Sequence, residues 1–195
     1  MKIKRENRNL LIGLSIGDGY INKKGFIDIW HSPEQKEFVD YKYSLIKEYC
    51  NIKPQTIIRG SFQSYGFRTK CTPFIKVLRR ILYKKEGKTL TRKLLDRLSI
   101  REIAIWWMDD GSMSKKINKN TGNIKALVFT LSTCCSKEQN QIIIDWFLEK
   151  YNIKFGQRKM RNSYALICGT KEGKKLSKLL EPEIIPSMKY KIFID

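Results

Sequence analysis

Two apolar stretches of helical length constrain this chain more than any other feature, because each ends in an aspartate followed by a glycine. The first covers residues 10–21 and the second covers residues 103–112. Glycine just after the last periodic residue commonly ends a helix, since glycine adopts positive φ without steric cost. The pattern therefore predicts two buried helices, the first ending at Asp18 and the second ending at Asp109 and Asp110.

Aspartates at these positions indicate a bound cation. A carboxylate at a helix C-terminus is disfavoured by up to about 1 kcal/mol, because that end carries partial negative charge. A divalent cation reverses the sign of the interaction, since aspartate oxygens and free terminal carbonyls are both hard ligands. A tight Asp-Gly turn would explain one such pair without a ligand. Two pairs, one in each half of the chain, favour a metal site.

The spacing of glycines predicts that the two helices pack closely on each other. Gly13 and Gly17 share a helix face, where the lack of side chains lets another helix approach. The second stretch offers Ala104 as a small residue, next to Trp106 and Trp107, which are most simply core residues. Neighbouring carboxylates at the two helix ends would repel unless cations lay between them, which is the arrangement that two-metal phosphodiester cleavage requires.

At these two stretches the sequence resembles the signature helices of the LAGLIDADG homing endonucleases, specifically the single-chain, intron-encoded type. Residues 11–19 and 103–111 line up with the nine-residue signature, whose metal-binding acid at the eighth position corresponds to Asp18 and Asp110. The second copy departs from the signature at Ile105, where a glycine is usual, and at Asp109. The resemblance implies an α+β fold in which two pseudo-symmetric αββαββα units form a saddle of antiparallel sheets. The expected units are residues 1–95 and residues 96–195.

The order of patterns along the chain fits such a duplication. A Ser-x-x-Gln capping box precedes the middle helix of each unit, at residues 32–35 and 136–139. Alternation predicts a strand with Ile27 and Ile29 facing the core and Asp28 and Trp30 facing outward. We expect the second hairpin to turn near residues 64–66 and a basic turn to cover residues 115–123. The last helix of the first unit is expected to carry four apolar residues inward: Val77, Leu78, Ile81 and Leu82.

The resemblance also implies an activity, namely site-specific cleavage of both strands of a long, asymmetric DNA target with short 3′ overhangs. Mg²⁺ would be the cofactor, with Mn²⁺ as a substitute, held by Asp18 and Asp110 with help from the main-chain carbonyls of Gly17 and Asp109. A family pattern with a lysine near the metal site matches Lys88 and, over a longer motif, Lys191; these two lysines join the acids as candidate catalytic residues. The alternative is a binder of the same fold that does not cleave, either an intron RNA maturase or a DNA-binding regulator.

The charge of the chain supports a nucleic-acid partner. The 195 residues include 39 Lys and Arg against 19 Asp and Glu, a net charge of +20, which favours a polyanion. An anionic membrane surface is the second choice, but binding to it through charge alone does not explain the duplicated acids, and no apolar run reaches the length of a membrane span. We expect a monomer that binds double-stranded DNA, with intron RNA as a further partner. The candidate DNA-contacting residues are Lys23, Lys24, Asp28, Trp30, Arg59, Gln63, Arg68, Lys70, Lys115, Lys116, Lys119, Thr130, Ser132, Arg158 and Arg161.

The cysteines and the single histidine limit which compartment, catalytic groups and metal ligands the chain can be expected to have. The five cysteines are odd in number and include no Cys-x-x-Cys pair, which favours reduced thiols in a reducing compartment. We therefore expect an intracellular protein of an organelle or of the bacterial cytoplasm. His31 is the single histidine, which argues against Ser-His and Cys-His catalysis and against a histidine-rich metal site.

Overall fold

The computed structural model describes residues 3–84 and 87–194, apart from the side chain of Arg59. The first half of the chain follows the expected order of helix, hairpin, helix, hairpin, helix. A 3₁₀ turn, Pro33–Gln35, leads into the second of these helices. The elements are α1 (Arg5–Ile16), β1 (Tyr20–Ile21), β2 (Ile27–His31), α2 (Lys36–Ile46), β3 (Gln55–Arg59), β4 (Phe62–Arg68) and α3 (Pro73–Leu82).

The charged connector between the halves has structure of its own. It contains a short antiparallel pair, β5 (Tyr83–Lys84) and β6 (Gly87–Lys88), followed by one helical turn, α4 (Arg92–Leu95). Lys85 and Glu86 of this connector lie outside the described residues. The pair β5–β6 matters for the site below, because β6 ends at Lys88.

The second half repeats the order of the first. Its elements are α5 (Ile100–Asp110), β7 (Gly111–Ile117), β8 (Ile124–Cys135), α6 (Lys137–Tyr151), β9 (Gly156–Lys159), β10 (Tyr164–Gly169) and α7 (Thr170–Leu180). Two 3₁₀ segments, Glu181–Glu183 and Pro186–Lys191, follow α7. Each half forms a four-stranded antiparallel sheet, with strand orders β1-β2-β4-β3 and β7-β8-β10-β9. The expected α+β fold with a duplicated αββαββα order is confirmed.

The two signature helices pack against each other as the glycine spacing predicted. A Cβ added at Gly13 would lie 2.7 Å from the Cβ of Glu102 on α5, so only glycine permits this approach. Glu102, rather than Ala104, is therefore the residue that meets the glycine face. The carboxylate of Glu102 accepts the main-chain N–H of Ser99 at 2.7 Å, which caps the start of α5. Trp106 and Trp107 are buried in the common core, as expected.

The glycines that follow the signature helices serve close packing rather than positive φ, so that prediction is wrong. Neither Gly19 nor Gly111, the glycines after the two aspartates, has positive φ, and Gly111 has an ordinary φ of −83°. A side chain at Gly17 would collide with Asp109, and one at Gly111 would collide with Trp107. Helix α1 also ends before Asp18, whereas Asp110 is the last residue of α5.

Three other local predictions are wrong. The second hairpin turns at residues 60–61, because Gly60 supplies the positive φ of +60°, and residues 64–66 lie within β4. Residues 115–117 belong to β7, so the basic turn covers only residues 118–123. In α3 the residues Leu78 and Leu82 are buried, but Val77 and Ile81 are 49% and 41% exposed.

The five cysteines are free thiols. Among the described residues, no helix has the length and hydropathy needed to cross a membrane.

Candidate active site

The acid at the end of α5 is held in place by its own helix. One carboxylate oxygen of Asp110 accepts a 3.2 Å hydrogen bond from the indole N–H of Trp106, one turn earlier. Burial, with the negative charges of Asp109 and Asp18 next to it, raises the pKa of Asp110 to about 7. The main-chain N–H of Asp18 donates to the carboxylate of Asp109 at 3.2 Å, so the ends of the two signature stretches lie side by side. The carboxylate of Asp18 is the open one, with 45% of its side chain exposed.

Two lysine ammonium groups contact the C-terminal ends of the signature helices, that of the half-buried Lys88 and that of the buried Lys191. Lys88 donates to the carbonyl of Gly17 at 2.5 Å, with longer contacts to two neighbouring carbonyls. Lys191 donates to the carbonyls of Met108 and Asp109, the latter at 3.1 Å. Burial lowers the pKa of both lysines, and the nearby aspartates oppose this effect. The carbonyls of Gly17 and Asp109 thus accept lysine hydrogen bonds, which leaves one lone pair on each for any further ligand.

The side chain of Asp109 is engaged within the protein. It is fully buried and forms an ion pair with Lys42, which is itself 0% exposed. Its second oxygen accepts the main-chain N–H of Asp18 at 3.2 Å. Burial raises the pKa of Asp109, and the charge of Lys42 opposes the rise. Asp109 therefore joins the two signature stretches through its side chain.

His31, at the end of β2, completes this buried group. Its Nδ1 lies 2.6 Å from the side-chain oxygen of Gln35, and its Nε2 lies 3.0 Å from the Lys42 ammonium. A ring with the proton on Nδ1 satisfies both contacts, because it donates to Gln35 and accepts from Lys42. Burial, with Lys42 nearby, lowers the pKa of His31 to about 4, so the ring is neutral at pH 7. Gln35 bonds His31 instead of closing the capping box predicted at residues 32–35.

Sequence reasoning missed Lys42 and His31 as parts of the site. Lys42 is one residue among 39 Lys and Arg. The available signal was its position in α2, since it lies four residues after Phe38 and four before Ile46, and all three side chains are buried. A lysine on the apolar stripe of a helix needs a buried partner, which here comes from the other half of the chain.

The outward face of the first sheet lies next to Asp18. Residues opposite each other in an antiparallel pair share a face, and Asp28 pairs with Arg68 while Trp30 pairs with Gly66. Their outward orientation agrees with the prediction. The guanidinium of Arg68 bonds the Asp28 carboxylate at 2.7 Å, so these two charges satisfy each other. A cavity of about 380 Å³ on this face is lined by Asp18, Tyr20, Asp28, Trp30, Ile57, Phe62, Ser64 and Arg68.

Two residues expected on this face are placed elsewhere. Gln63 pairs with Ile58 and alternates with Ser64, so it lies on the helix side of the sheet. Lys70 donates to the carbonyl of Glu48 at 3.0 Å, beside the end of α2. The side chain of Arg59 lies outside the described residues. Lys23 and Lys24 are exposed in the first hairpin turn, as expected.

The second sheet presents hydroxyl and basic groups on the corresponding face. Thr130 pairs with Ser112, and Ser132 follows on the same face by alternation, although Thr130 is only 9% exposed. Arg158 is exposed and pairs with Ala165. Lys116 shares this face, whereas Lys115 pairs with Leu127 and lines a groove against the C-terminal segment. The last two candidates, Lys119 and Arg161, are exposed in turns.

Comparison with known proteins identifies the relatives of this fold. The chain is 26% identical over its whole length to probable intron-encoded endonuclease 1 of Wickerhamomyces canadensis, of which it covers 85%. It is 29% identical over 94% of its length to the cytochrome b mRNA maturase bI2 of Saccharomyces cerevisiae, of which it covers 46%. RecA of Mycobacterium gastri matches at 25% identity, and the chain spans less than half of this and the other RecA proteins that it matches.

A solved structure has the same fold. The homing endonuclease I-WcaI bound to its DNA recognition sequence superposes with a TM-score of 0.82 at 23% identity, covering 100% of this chain and 89% of that one. The model of the LAGLIDADG DNA endonuclease family matches residues 8–176, which include both nine-residue signatures and both sheets. This chain is therefore a member of the LAGLIDADG DNA endonuclease family.

Proposed function

We propose that this protein is a site-specific, Mg²⁺-dependent DNA endonuclease that cuts both strands of a long, asymmetric target and leaves short 3′ overhangs. One observation carries the proposal: each signature stretch contributes an acid, Asp18 or Asp110, where the two stretches meet, and Lys88 and Lys191 donate to main-chain carbonyls of the same two stretches. Loss of an acid is the usual mark of a member that does not cleave, and both acids are present. The two units proposed above, residues 1–95 and 96–195, each supply one acid and one lysine.

The chemistry of the carboxylates fits a divalent cation. Asp18 and Asp110 would hold Mg²⁺, since hard oxygen ligands suit this ion and the main-chain N–H of Asp18 lies 3.2 Å from the carboxylate next to Asp110 in the sequence, that of Asp109. The carbonyls of Gly17 and Asp109 retain one lone pair each as additional ligands. When bound, the metal supplies Lewis-acid chemistry that activates water and stabilises the leaving 3′ oxygen. Mn²⁺ is expected to substitute.

The residues around the acids fix their positions and balance their charge. Trp106 orients the Asp110 carboxylate through its indole N–H. Lys88 and Lys191 are anchored on main-chain carbonyls, which points their positive charge at the acids and at any phosphate that enters between them. We assign these two lysines the stabilisation of negative charge on the reacting phosphate.

DNA binding is supported by charge and by the outward sheet faces. A net charge of +20 favours a duplex over an uncharged partner. We propose that Asp28, Trp30, Arg68, Thr130, Ser132 and Arg158 face the bases. Lys23, Lys24, Lys116, Lys119 and Arg161 then face phosphates. The protein is proposed to act as a monomer in a reducing intracellular compartment.

A second function is favoured by one relative. The 29% identity to the cytochrome b mRNA maturase bI2 supports intron RNA as a further partner, with or without DNA cleavage. The cleavage experiment separates an endonuclease from a binder that does not cleave. A randomised DNA library is incubated with Mg²⁺ and the native protein, Asp18→Asn or Asp110→Asn. Cutting at one family of sequences, abolished in both variants, supports the endonuclease; tight binding without cutting in Mg²⁺ and in Mn²⁺ would replace it with the binding function.

A further inference from the structure

The first unit buries a lysine that the proposed cleavage reaction does not use. The Lys42 side chain is fully buried on α2, where its ammonium pairs with the carboxylate of Asp109 and donates to Nε2 of His31 at 3.0 Å. An ammonium removed from water is stable only when such partners surround it. Its position between an imidazole and a carboxylate is the position that a metal ion would take.

The groups around Lys42 have the spacing of a metal site. Asp18, His31 and Asp109 each offer a ligand atom, and these atoms lie within 4.8 Å of one another. The Nδ1 atom of His31 lies 3.7 Å from Asp18, and its Nε2 atom lies 3.8 Å from Asp109, so an ion bound at Nε2 would have Asp109 as its nearest second ligand. Two ligands of one Zn²⁺ lie about 3 to 4 Å apart, because each bond is about 2.0 to 2.2 Å long. Imidazole with carboxylates suits Zn²⁺ and similar ions better than Mg²⁺.

We propose that Lys42 is a resident cation that closes the Asp18–His31–Asp109 group to transition-metal ions. The ammonium occupies the lone pair of His31 and neutralises Asp109, so neither group is available as a ligand. Because Asp109 accepts the main-chain N–H of Asp18, the same ion pair also holds that backbone in place and leaves the Asp18 carboxylate facing outward. The consequence for cleavage, that Asp18 is kept for the catalytic metal, rests on the proposed function.

Among the described residues, the second unit has no counterpart of the His31–Lys42 pair. The capping serines Ser32 and Ser136 correspond, so the places of His31 and Lys42 are taken in the second unit by Cys135 and Trp146. The indole N–H of Trp146 donates to Asp96 instead of approaching the acids. His31 is also the single histidine of the chain, so its ring nitrogens give an unambiguous NMR signal.

The test is a Zn²⁺ titration of the full chain without a histidine tag, followed by ¹⁵N NMR of the His31 ring. In the native protein the ring signals are expected to stay at their metal-free positions. In Lys42→Met the Nε2 signal is expected to shift at a Zn²⁺ concentration at least about 100-fold lower than any native shift, because a positive charge next to the ion is gone. The matched control is Lys36→Met on the same helix, whose exposed ammonium pairs with Asp40 at 2.6 Å and which should behave as native.

A second variant covers a failure to fold, because Lys42→Met leaves the Asp109 carboxylate buried without a partner. The double variant Lys42→Met/Asp109→Asn removes this charge and a metal ligand together, and it should fold with no Zn²⁺ effect on His31. If Lys42→Met alone is unfolded, Zn²⁺ is expected to restore its fold. The proposal would be overturned if the native and Lys42→Met signals shifted at the same Zn²⁺ concentration. It would also be overturned if a folded Lys42→Met protein showed no shift, or if Zn²⁺ did not restore the fold of an unfolded one. The titration contains no DNA, so an absence of cleavage would count against the endonuclease alone.

Discussion

Replacing Asp110 by asparagine is expected to stabilise the metal-free protein while abolishing cleavage. The carboxyl group has its pKa raised from 3.8 to about 7 by burial and by the charges of Asp109 and Asp18, so its ionised form is disfavoured in the folded state. Asparagine keeps an oxygen for the indole N–H of Trp106 but carries no charge. The structure thus predicts a site whose negative charge opposes folding until a cation binds.

The magnitude follows from the difference between the folded and unfolded pKa values. Because folding raises the pKa of this carboxyl group, the free energy of unfolding of the protein falls as the pH rises from about 4 to about 7. Above that range it stays level. A shift of about 3 units corresponds to about 4 kcal/mol, and water reaching the partly exposed carboxylate reduces the effect to about 2 to 4 kcal/mol. At pH 4.5 the same relation predicts that the raised pKa of Asp110 costs the folded protein only about 1 kcal/mol or less.

The assay is urea denaturation in EDTA at pH 8 and at pH 4.5. Asp110→Asn should be more stable than the native protein by about 2 to 4 kcal/mol at pH 8, and the difference should shrink at pH 4.5. Mg²⁺ should stabilise the native protein by mass action but not the variant. Asp145→Asn, at an exposed acid of α6, is the control and should show no such difference. A variant less stable than native at pH 8, or an advantage of equal size at both pH values, would refute the reasoning.

Three further outcomes follow from the packing and from the sheet face. Lys191→Met should destabilise the fold by about 1 to 3 kcal/mol, because two buried carbonyls lose their donor, and single-turnover cleavage should fall with it. Gly13→Val should destabilise by about 1 to 3 kcal/mol in thermal unfolding, since even a Cβ would lie 2.7 Å from that of Glu102; a neutral change would contradict the close helix contact. Phe62, which is 78% exposed on the outward sheet face, should contact thymine methyl groups. Uracil in place of thymine in that half-site should therefore weaken DNA binding about fourfold per methyl group lost, and Phe62→Ser should remove this difference between the two DNAs.

Much of the fold and part of the site could be predicted from the sequence, because those features are written in local patterns. The repeated apolar stretches, each ending in Asp-Gly, identified the signature helices and the two acids. Alternation assigned Ile27 and Trp30 to opposite faces of β2, and both assignments are confirmed. Lys88 and Lys191 came from family resemblance alone, since neither has a local pattern that separates it from other lysines.

The rest depended on contacts between distant segments. One residue of register decides which face a strand residue takes, so Gln63 was assigned to the wrong side. Lys42 and Asp109 are 67 positions apart and carry no local signal that they are partners, and they meet only because α2 lies beside the end of α5. Local periodicity therefore determined most of the elements, and family resemblance chose Asp110 rather than Asp109 as the second acid, whereas tertiary packing decided which charges are buried together. The physical reason is that the energy of a buried charge depends on the partners that reach it in the folded chain, and these come from elsewhere in the sequence.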